Sequence, residues 1–192
     1  ISLCTGWIPV EIRPLPEDQA RNLCLDDLFG HIRLLGQLVG APDGAEALCR
    51  RLEQALAEMA HAAARLPRRP RVYFEEWMDP LICGTGWVSD LIERAGGMDV
   101  FRDRAVAGRA ALDRRVEWAE VVARQPELIL ASWCGKPFRC SEVLARPGAG
   151  AIPAVQTGEV HEVEAPILQC GLGLLDSLRE LHAHIARVAS LG

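Results

Sequence analysis

The sequence lacks the segments that mark membrane-spanning, exported and nucleic-acid-binding proteins. No apolar run reaches the ~18 residues that a membrane-spanning helix needs. The start at Ile1 has no basic segment followed by an apolar stretch and a cleavage site, so we expect no signal peptide here. The net charge of -5 gives no electrostatic basis for binding nucleic acid. The arginine-rich run at 67–71 is equally consistent with a solvated linker.

Recognisable catalytic and metal-binding motifs are lacking too. There is no phosphate-binding loop, no serine nucleophile elbow, no CxxC pair and no Cys/His cluster with zinc-ligand spacing. The cysteines are odd in number and irregularly spaced, which favours free thiols and therefore a reducing compartment. The seven are Cys4, Cys24, Cys49, Cys83, Cys134, Cys140 and Cys170.

What the sequence does contain is typical of a globular α/β protein. Of its 192 residues, 49% are hydrophobic and 24% are charged. Apolar periodicity predicts helices at 26–39, 43–66, 88–95, 118–124 and 171–191. Short apolar runs predict strands at 71–76, 126–131, 152–155 and 158–163. Because strands alternate with helices after residue 70, we expect a mostly parallel sheet flanked by helices.

Unusual residues stand where three of the predicted strands end, in the loops at 75–87, 132–136 and 164–169. Because the carboxyl ends of parallel strands lie on one edge of a sheet, these loops can converge into one ligand site. Tryptophan offers a flat apolar surface and an N–H donor, which suits a large planar or amphipathic ligand. Alternatively, the indoles pack against the hydrophobic core and thereby hold the loops in place. The candidate ligand-binding residues are Glu75, Glu76, Trp77, Trp87, Trp133, Cys134 and Lys136.

Three of these candidates also allow a catalytic interpretation, which the spacing disfavours. Glu75 and Glu76 are neighbours on a strand, so their side chains point to opposite faces and cannot readily share a proton. The alternatives for these two glutamates are a ligand contact, a salt bridge to an arginine of a partner, or a solvated strand end. Cys134 lies near Lys136 and could be a reactive thiolate. A nucleophile needs a base, however, and the nearest histidine in sequence is the distant His161.

Four segments, taken together, resemble the cobalamin/ferric-siderophore class of ABC-transporter substrate-binding proteins, and most closely its cobalamin-binding branch. The similarity runs from about residue 26 to the C-terminus. The segments are 70–77 (PRVYFEEW), 87–97 (WVSDLIERAGG), 132–136 (SWCGK) and 152–162, which contains IPAV and GEVHE.

The resemblance implies two α/β lobes joined by a long helix, the class III periplasmic-binding-protein fold, with ligand held between the lobes. In this chain 43–66 would be the connecting helix and 67–192 the C-terminal α/β lobe. Residues 1–42 would be a remnant of an N-terminal lobe that is otherwise missing. Where the branch has a Leu-Gln-Pro-Gly motif, this chain has LQCG at 168–171, which adds Gln169 to the ligand-facing candidates.

The resemblance further implies a non-catalytic importer component that binds a corrinoid or a ferric chelate, with no resident cofactor or metal. Its partner would be an ABC permease, and arginines of the permease would form salt bridges with Glu75, Glu76 or Glu164. Its location would be the periplasm. Two alternatives stay open at this point. One is a cytoplasmic metal- or thiol-handling protein that uses Cys134. The other is a truncated domain that self-associates through the surface left by the missing lobe.

Overall fold

The computed structural model of the protein describes residues 25–108, 110–169, 171 and 173–191. From its prolines, the segment at 1–16 is expected to be irregular chain or a short edge strand, and it lies outside the described residues, as do Cys4, Cys24 and Cys170. The described α-helices are α1 (Leu25–Leu38), α2 (Pro42–Ala63), α3 (Gly86–Arg94), α4 (Arg102–Ala107), α5 (Trp118–Arg124), α6 (Cys140–Leu144), α7 (Pro153–Gln156) and α8 (Leu174–Ala189). Short 3-10 helices cover Ala111–Arg114, Ala149–Ala151 and Ala165–Leu168.

The predicted long helix is α2, which has 22 residues and is therefore about 33 Å long. It begins at Pro42, one residue before the predicted start, because proline suits the first helical position, where no N–H partner is needed. Its buried side chains pack between α1 and α8. Arg33 of α1 ties the two helices together through Glu46, at 2.9 Å. In the part of the chain that the structure describes, no helix has the length and apolar character to cross a membrane.

A single sheet contains the strands β1 (Arg71–Met78), β2 (Leu81–Cys83), β3 (Met98–Asp99), β4 (Leu128–Ala131) and β5 (Val160–Glu162). The strand order is β2-β1-β4-β5, with β3 beside the start of β1. β1, β3, β4 and β5 run parallel, and β2 runs antiparallel to β1. The mostly parallel sheet flanked by helices is confirmed. The carboxyl ends of β1, β4 and β5 lie on one edge of this sheet.

The sheet is buried on both faces, as expected for a parallel sheet between helix layers. Val72 and Phe74 of β1 belong to the hydrophobic cluster under α2, α3 and α8. Tyr73 faces the opposite cluster, where its ring meets Phe101 edge to face with centroids 5.6 Å apart. A register shift between Glu75 and Trp77 marks a β-bulge, so the regular alternation of side chains does not continue through Glu76.

The predicted strand at 152–155 is wrong, because Pro153–Gln156 is the short helix α7. Pro153 stands at its first position, where the ring favours a helical start, and four residues carry too little periodicity to separate helix from strand. β1 also continues to Met78, past the expected end at 76, and returns through a turn with a cis Asp79–Pro80 bond into β2. The proline interrupts the hydrogen-bonded ladder and the chain then doubles back.

Candidate functional site

Glu75 is fully buried at the carboxyl end of β1 and is held by three side chains. Arg146 donates two hydrogen bonds to its carboxylate, at 2.6 and 2.9 Å. The indole N–H of Trp133 donates a third at 3.0 Å, and the hydroxyl of Tyr73 a fourth at 3.3 Å. Burial, with the adjacent carboxylate, raises the pKa of Tyr73 well above its usual value, so the hydroxyl stays protonated. Glu75 thus joins β1 to the loops after β4 and α6.

Glu76 lies at a β-bulge in β1 and pairs with Arg114. The two nitrogens of that guanidinium donate to Glu76 at 2.6 and 3.1 Å. Arg114 also donates to the carbonyl of Cys83 on β2. Burial raises the pKa of the Cys83 thiol to about 12, so it stays protonated beside this pair. Both glutamates are therefore paired within the chain, and ligand contact by either remains a prediction.

Trp87 and Trp133 are buried, each about 3% exposed. The Trp87 N–H donates to the carbonyl of Ile167 at 3.1 Å, which pins the loop before α8 against α3. The Trp133 ring meets Phe138 edge to face with centroids 5.0 Å apart. Both indoles hold loops onto the core in this structure, and their contact with a ligand stays a prediction.

Two further candidates, Trp77 and Lys136, contact each other at the surface. The indole N–H of Trp77 donates to the carbonyl of Asp79 at 2.9 Å, which fixes the ring in the turn between β1 and β2. The ammonium nitrogen of Lys136 lies 4.7 Å from the centre of this ring, a cation–π arrangement. The ring is thus held at its polar end, and one of its faces lies against a flexible lysine.

A surface cavity of about 650 Å³ opens beside Lys136, at the carboxyl ends of β4 and β5. Its lining comes from the loop at 132–137, the segment at 162–166 and Glu180 of α8. Three carboxylates, Glu162, Glu164 and Glu180, face one lysine. Burial, with the charge of Glu164, raises the pKa of Glu180 above its usual range. The cavity is thus acidic, with a single cation at its edge.

The remaining candidates lie around this region. Cys134 is a free, exposed thiol in the same loop as Lys136, and Gln169 is exposed just beyond the segment that lines the cavity. His161, the base that a nucleophilic cysteine would require, instead contacts Glu159 and Arg187. Among the described residues, no group of three or more histidine, cysteine or acidic side chains could hold a metal ion.

Residues that the sequence did not single out complete this site. Arg146 and Arg114 stand 71 and 38 residues from their glutamate partners, a separation that no local pattern reveals. Glu162 could have been identified, because it ends β5 on the same edge of the sheet as the other candidates. Glu180 lies on a helical face whose neighbours are known only from the fold.

Solved structures of similar shape were found, whereas no curated protein matches the sequence. A periplasmic heme binding protein from Pseudomonas aeruginosa superposes with a TM-score of 0.71 at 21% identity, covering 88% of this chain and 62% of its own. The periplasmic vitamin B12 binding protein of Vibrio cholerae gives 0.67 at 19% identity, covering 90% and 65%. A protein of an ABC-type Fe3+-hydroxamate transport system from Saccharomonospora viridis gives 0.66 at 22%, covering 85% and 56%.

These likenesses establish a shared fold, and the chain spans less than two thirds of the length of each of these structures. The sequence itself matches the family model described as periplasmic binding protein over residues 11–166. That range includes β1, β4, β5 and the loop that carries Trp133 and Lys136. The chain therefore belongs to the periplasmic binding protein family, a family of solute-binding proteins and not of enzymes.

Proposed function

We propose that the chain forms the ligand-binding lobe of an ABC importer's substrate-binding protein, with a corrinoid or another metal chelate as its ligand. The observation that carries this proposal is the cavity at the carboxyl ends of β4 and β5, next to the Trp77 ring under Lys136. Structures of the same fold bind heme and vitamin B12. A volume of about 650 Å³ suits one side of such a ligand. A second lobe outside the described residues would cover the other side.

The ligand would replace the ammonium of Lys136 on the face of Trp77. An indole stacks against a flat macrocycle, and the displaced lysine can then donate to an oxygen on the edge of the ligand. Glu75 contributes indirectly, because it holds Trp133 and therefore the loop that carries Lys136. Gln169 and Cys134 would contact the parts of the ligand that extend beyond the cavity.

The charge of the cavity favours a neutral or cationic ligand over an anionic one. Glu162, Glu164 and Glu180 would repel the two propionates of a haem, whereas the amide-rich edge of a corrinoid carries no such charge. Within the proposed class, a corrinoid is therefore the preferred ligand and a haem the least favoured.

Delivery to a permease in the periplasm would follow from this role. Of the three acidic residues considered for docking, Glu75 and Glu76 already pair with Arg146 and Arg114. Glu164 is exposed and has no arginine partner among the described side chains. It is the residue that we propose for a salt bridge to an arginine of the permease.

Spectroscopic titration of the full-length protein with cyanocobalamin, haem and a ferric hydroxamate tests this function. We expect micromolar or tighter binding of cyanocobalamin and weaker binding of haem. Trp77→Ala should weaken cyanocobalamin binding by up to about tenfold, since stacking on an aromatic ring contributes about 0.5 to 1.5 kcal/mol. Lys136→Met should also weaken it, whereas Arg139→Met, which removes an exposed cation 63% accessible to solvent, should not. Absence of binding to all three ligands contradicts the proposal.

A further inference from the structure

Two partners compete for one nitrogen of His161, where β5 meets α8. The Nε2 atom of His161 is 2.7 Å from Nη2 of Arg187 and 2.9 Å from Oε2 of Glu159. An arginine nitrogen can only donate a hydrogen bond, whereas an ionised carboxylate can only accept one. Nε2 must therefore lack a proton to accept from Arg187, and must carry one to donate to Glu159.

His184 completes this group from the side of the helix. Its ring stacks on that of His161 with centroids 4.8 Å apart, and its Nδ1 atom is 3.2 Å from Nη2 of Arg187. Glu159 stands immediately before β5, is only 5% exposed, and has its Oε2 atom 2.7 Å from the same Nη2. The four residues Glu159, His161, His184 and Arg187 are called the β5–α8 contact below.

The charges of the β5–α8 contact balance only while both imidazoles are neutral, because one carboxylate then faces one guanidinium. A proton on either ring adds a positive charge beside Arg187, in a place where the buried Glu159 is poorly screened by water. Burial lowers the pKa of His184, and the neighbouring His161 and Arg187 lower it further, while Glu159 opposes them. Among the described residues, these three are the ionisable groups that act on His184.

We infer that the β5–α8 contact is a pH-sensitive clasp, in which neutral His161 and His184 hold the guanidinium of Arg187 against Glu159 and protonation of either ring releases it. The proton comes from the solvent. On His161, the protonated Nε2 then donates to Glu159 in place of Arg187. The Arg187 side chain is 47% exposed, so the released guanidinium can turn into solvent without disturbing the core.

The clasp joins two elements that line the cavity beside Lys136. Glu162 ends β5, and Glu180 lies four residues before His184 on α8. Release of the clasp therefore loosens the attachment between two walls of this cavity in mildly acidic solution. The clasp belongs to the lobe itself, and its action does not depend on the ligand proposed for the cavity.

Urea denaturation of the full chain at about pH 7.5 and about pH 5.5, on either side of the ordinary histidine pKa, tests the clasp. The folded protein binds a proton at His184 less readily than the unfolded chain does, so the stability that His184 contributes is present above about pH 6.5 and is lost as the pH falls below that value. On acidification, the unfolding equilibrium constant of the parent should rise about three- to tenfold more than that of His184→Phe, whose ring can stack but cannot titrate. Equal pH dependence of the two proteins would overturn the proposal.

Arg187→Ala removes the guanidinium that the clasp holds. Its loss of stability relative to the parent should shrink on acidification, because a protonated imidazole can then supply the charge that Glu159 has lost. Arg179→Ala is the matched control on the same helix, because the Arg179–Asp176 pair is 66% and 85% exposed and its effect should be the same at both pH values. A loss in Arg187→Ala that does not change with pH would contradict the clasp.

Proton NMR of the parent protein guards against variants that fold poorly. The ring of His184 should titrate below about pH 6.5, the ordinary value for histidine. The side-chain resonances of Arg187 should shift over the same pH range, since release of the guanidinium changes its surroundings. Titration of His184 without any change at Arg187 would also overturn the proposal, because it would show that the guanidinium stays in place.

Discussion

Glu75 and Glu76 at the end of β1 differ from the carboxylates of the cavity in what balances their charge. Each of the first two receives a two-pronged hydrogen bond from one arginine. Within the described residues, no arginine pairs with Glu162, Glu164 or Glu180, which line the cavity opposite the lone Lys136. All five lie close to the same edge of the sheet.

The difference indicates which acidic residues stabilise the lobe and which can meet another molecule. A carboxylate paired inside the chain fixes the loop that supplies its arginine. Removing one partner leaves the other charge buried and uncompensated. A carboxylate without such a partner contributes little to stability or opposes it, but its charge remains available to a ligand or a permease. Substitutions at the two groups should therefore differ in both size and sign.

The largest effect is expected for Arg146→Ala, which leaves the fully buried Glu75 without its cation. We expect a loss of about 3 to 5 kcal/mol in the free energy of unfolding, measured by urea denaturation. Arg139→Ala, at an exposed pair with Glu142, is the matched control and should cost less than about 1 kcal/mol. Replacing both partners, as in Glu75→Leu with Arg146→Met, should recover much of the loss. A small loss in Arg146→Ala would mean that water reaches Glu75.

An intermediate effect is expected for Glu76→Gln. Arg114 would keep its hydrogen bond to the carbonyl of Cys83 but lose the opposite charge, so we expect a loss of about 2 kcal/mol in the same measurement. Glu117→Gln serves for comparison, because the Glu117–Arg115 pair is 66% and 59% exposed and should contribute almost nothing. If both variants lose the same stability, then burial does not distinguish the two pairs.

The smallest effect, and one of opposite sign, is expected for Glu180→Gln. The folded-state pKa of Glu180 is raised, so the folded protein binds a proton at this site more readily than the unfolded chain does. Its ionised form therefore destabilises the fold once the pH rises above both pKa values, and the neutral form does not. Thermal unfolding of Glu180→Gln should show a small gain at about pH 7 and none at about pH 3. A loss at neutral pH would show that the hydrogen bond from the backbone N–H of Glu164 to Glu180, at 3.3 Å, outweighs the cost of burying the charge.

Much of the fold could be predicted from the sequence, because its main elements are long or strongly periodic. β1, β4, β5 and the helices α1, α2 and α8 all lie where the apolar pattern placed them, within a few residues. The short elements could not be separated by period alone, which is why α7 was taken for a strand and β2 and β3 were missed. Family membership confirms the expected class of protein and its non-enzymatic role, whereas the cobalamin-binding branch remains a proposal.

The candidate site was predictable in its position but not in its contacts. The rule that strand ends converge on one edge correctly brought the loops of Trp77 and Lys136 together. Glu75 and Glu76 pair with different arginines, but a β-bulge between Glu75 and Trp77 interrupts the alternation on which the expectation of opposite faces rested. Their arginine partners could not be foreseen, because pairing over such separations depends on how the loops pack after folding. Burial of Trp87 and Trp133 is a tertiary property of the same kind.

The lysine above Trp77 gives this cavity a chemical handle of its own. Lys136 is the only lysine in the sequence. Within this sequence, an amine-directed acylating reagent therefore has one side chain to modify, and that side chain stands at the rim of the cavity. A fluorophore attached there would report on occupancy of this cavity with no engineered cysteine, and protection from acylation would measure how completely a bound molecule covers the indole face.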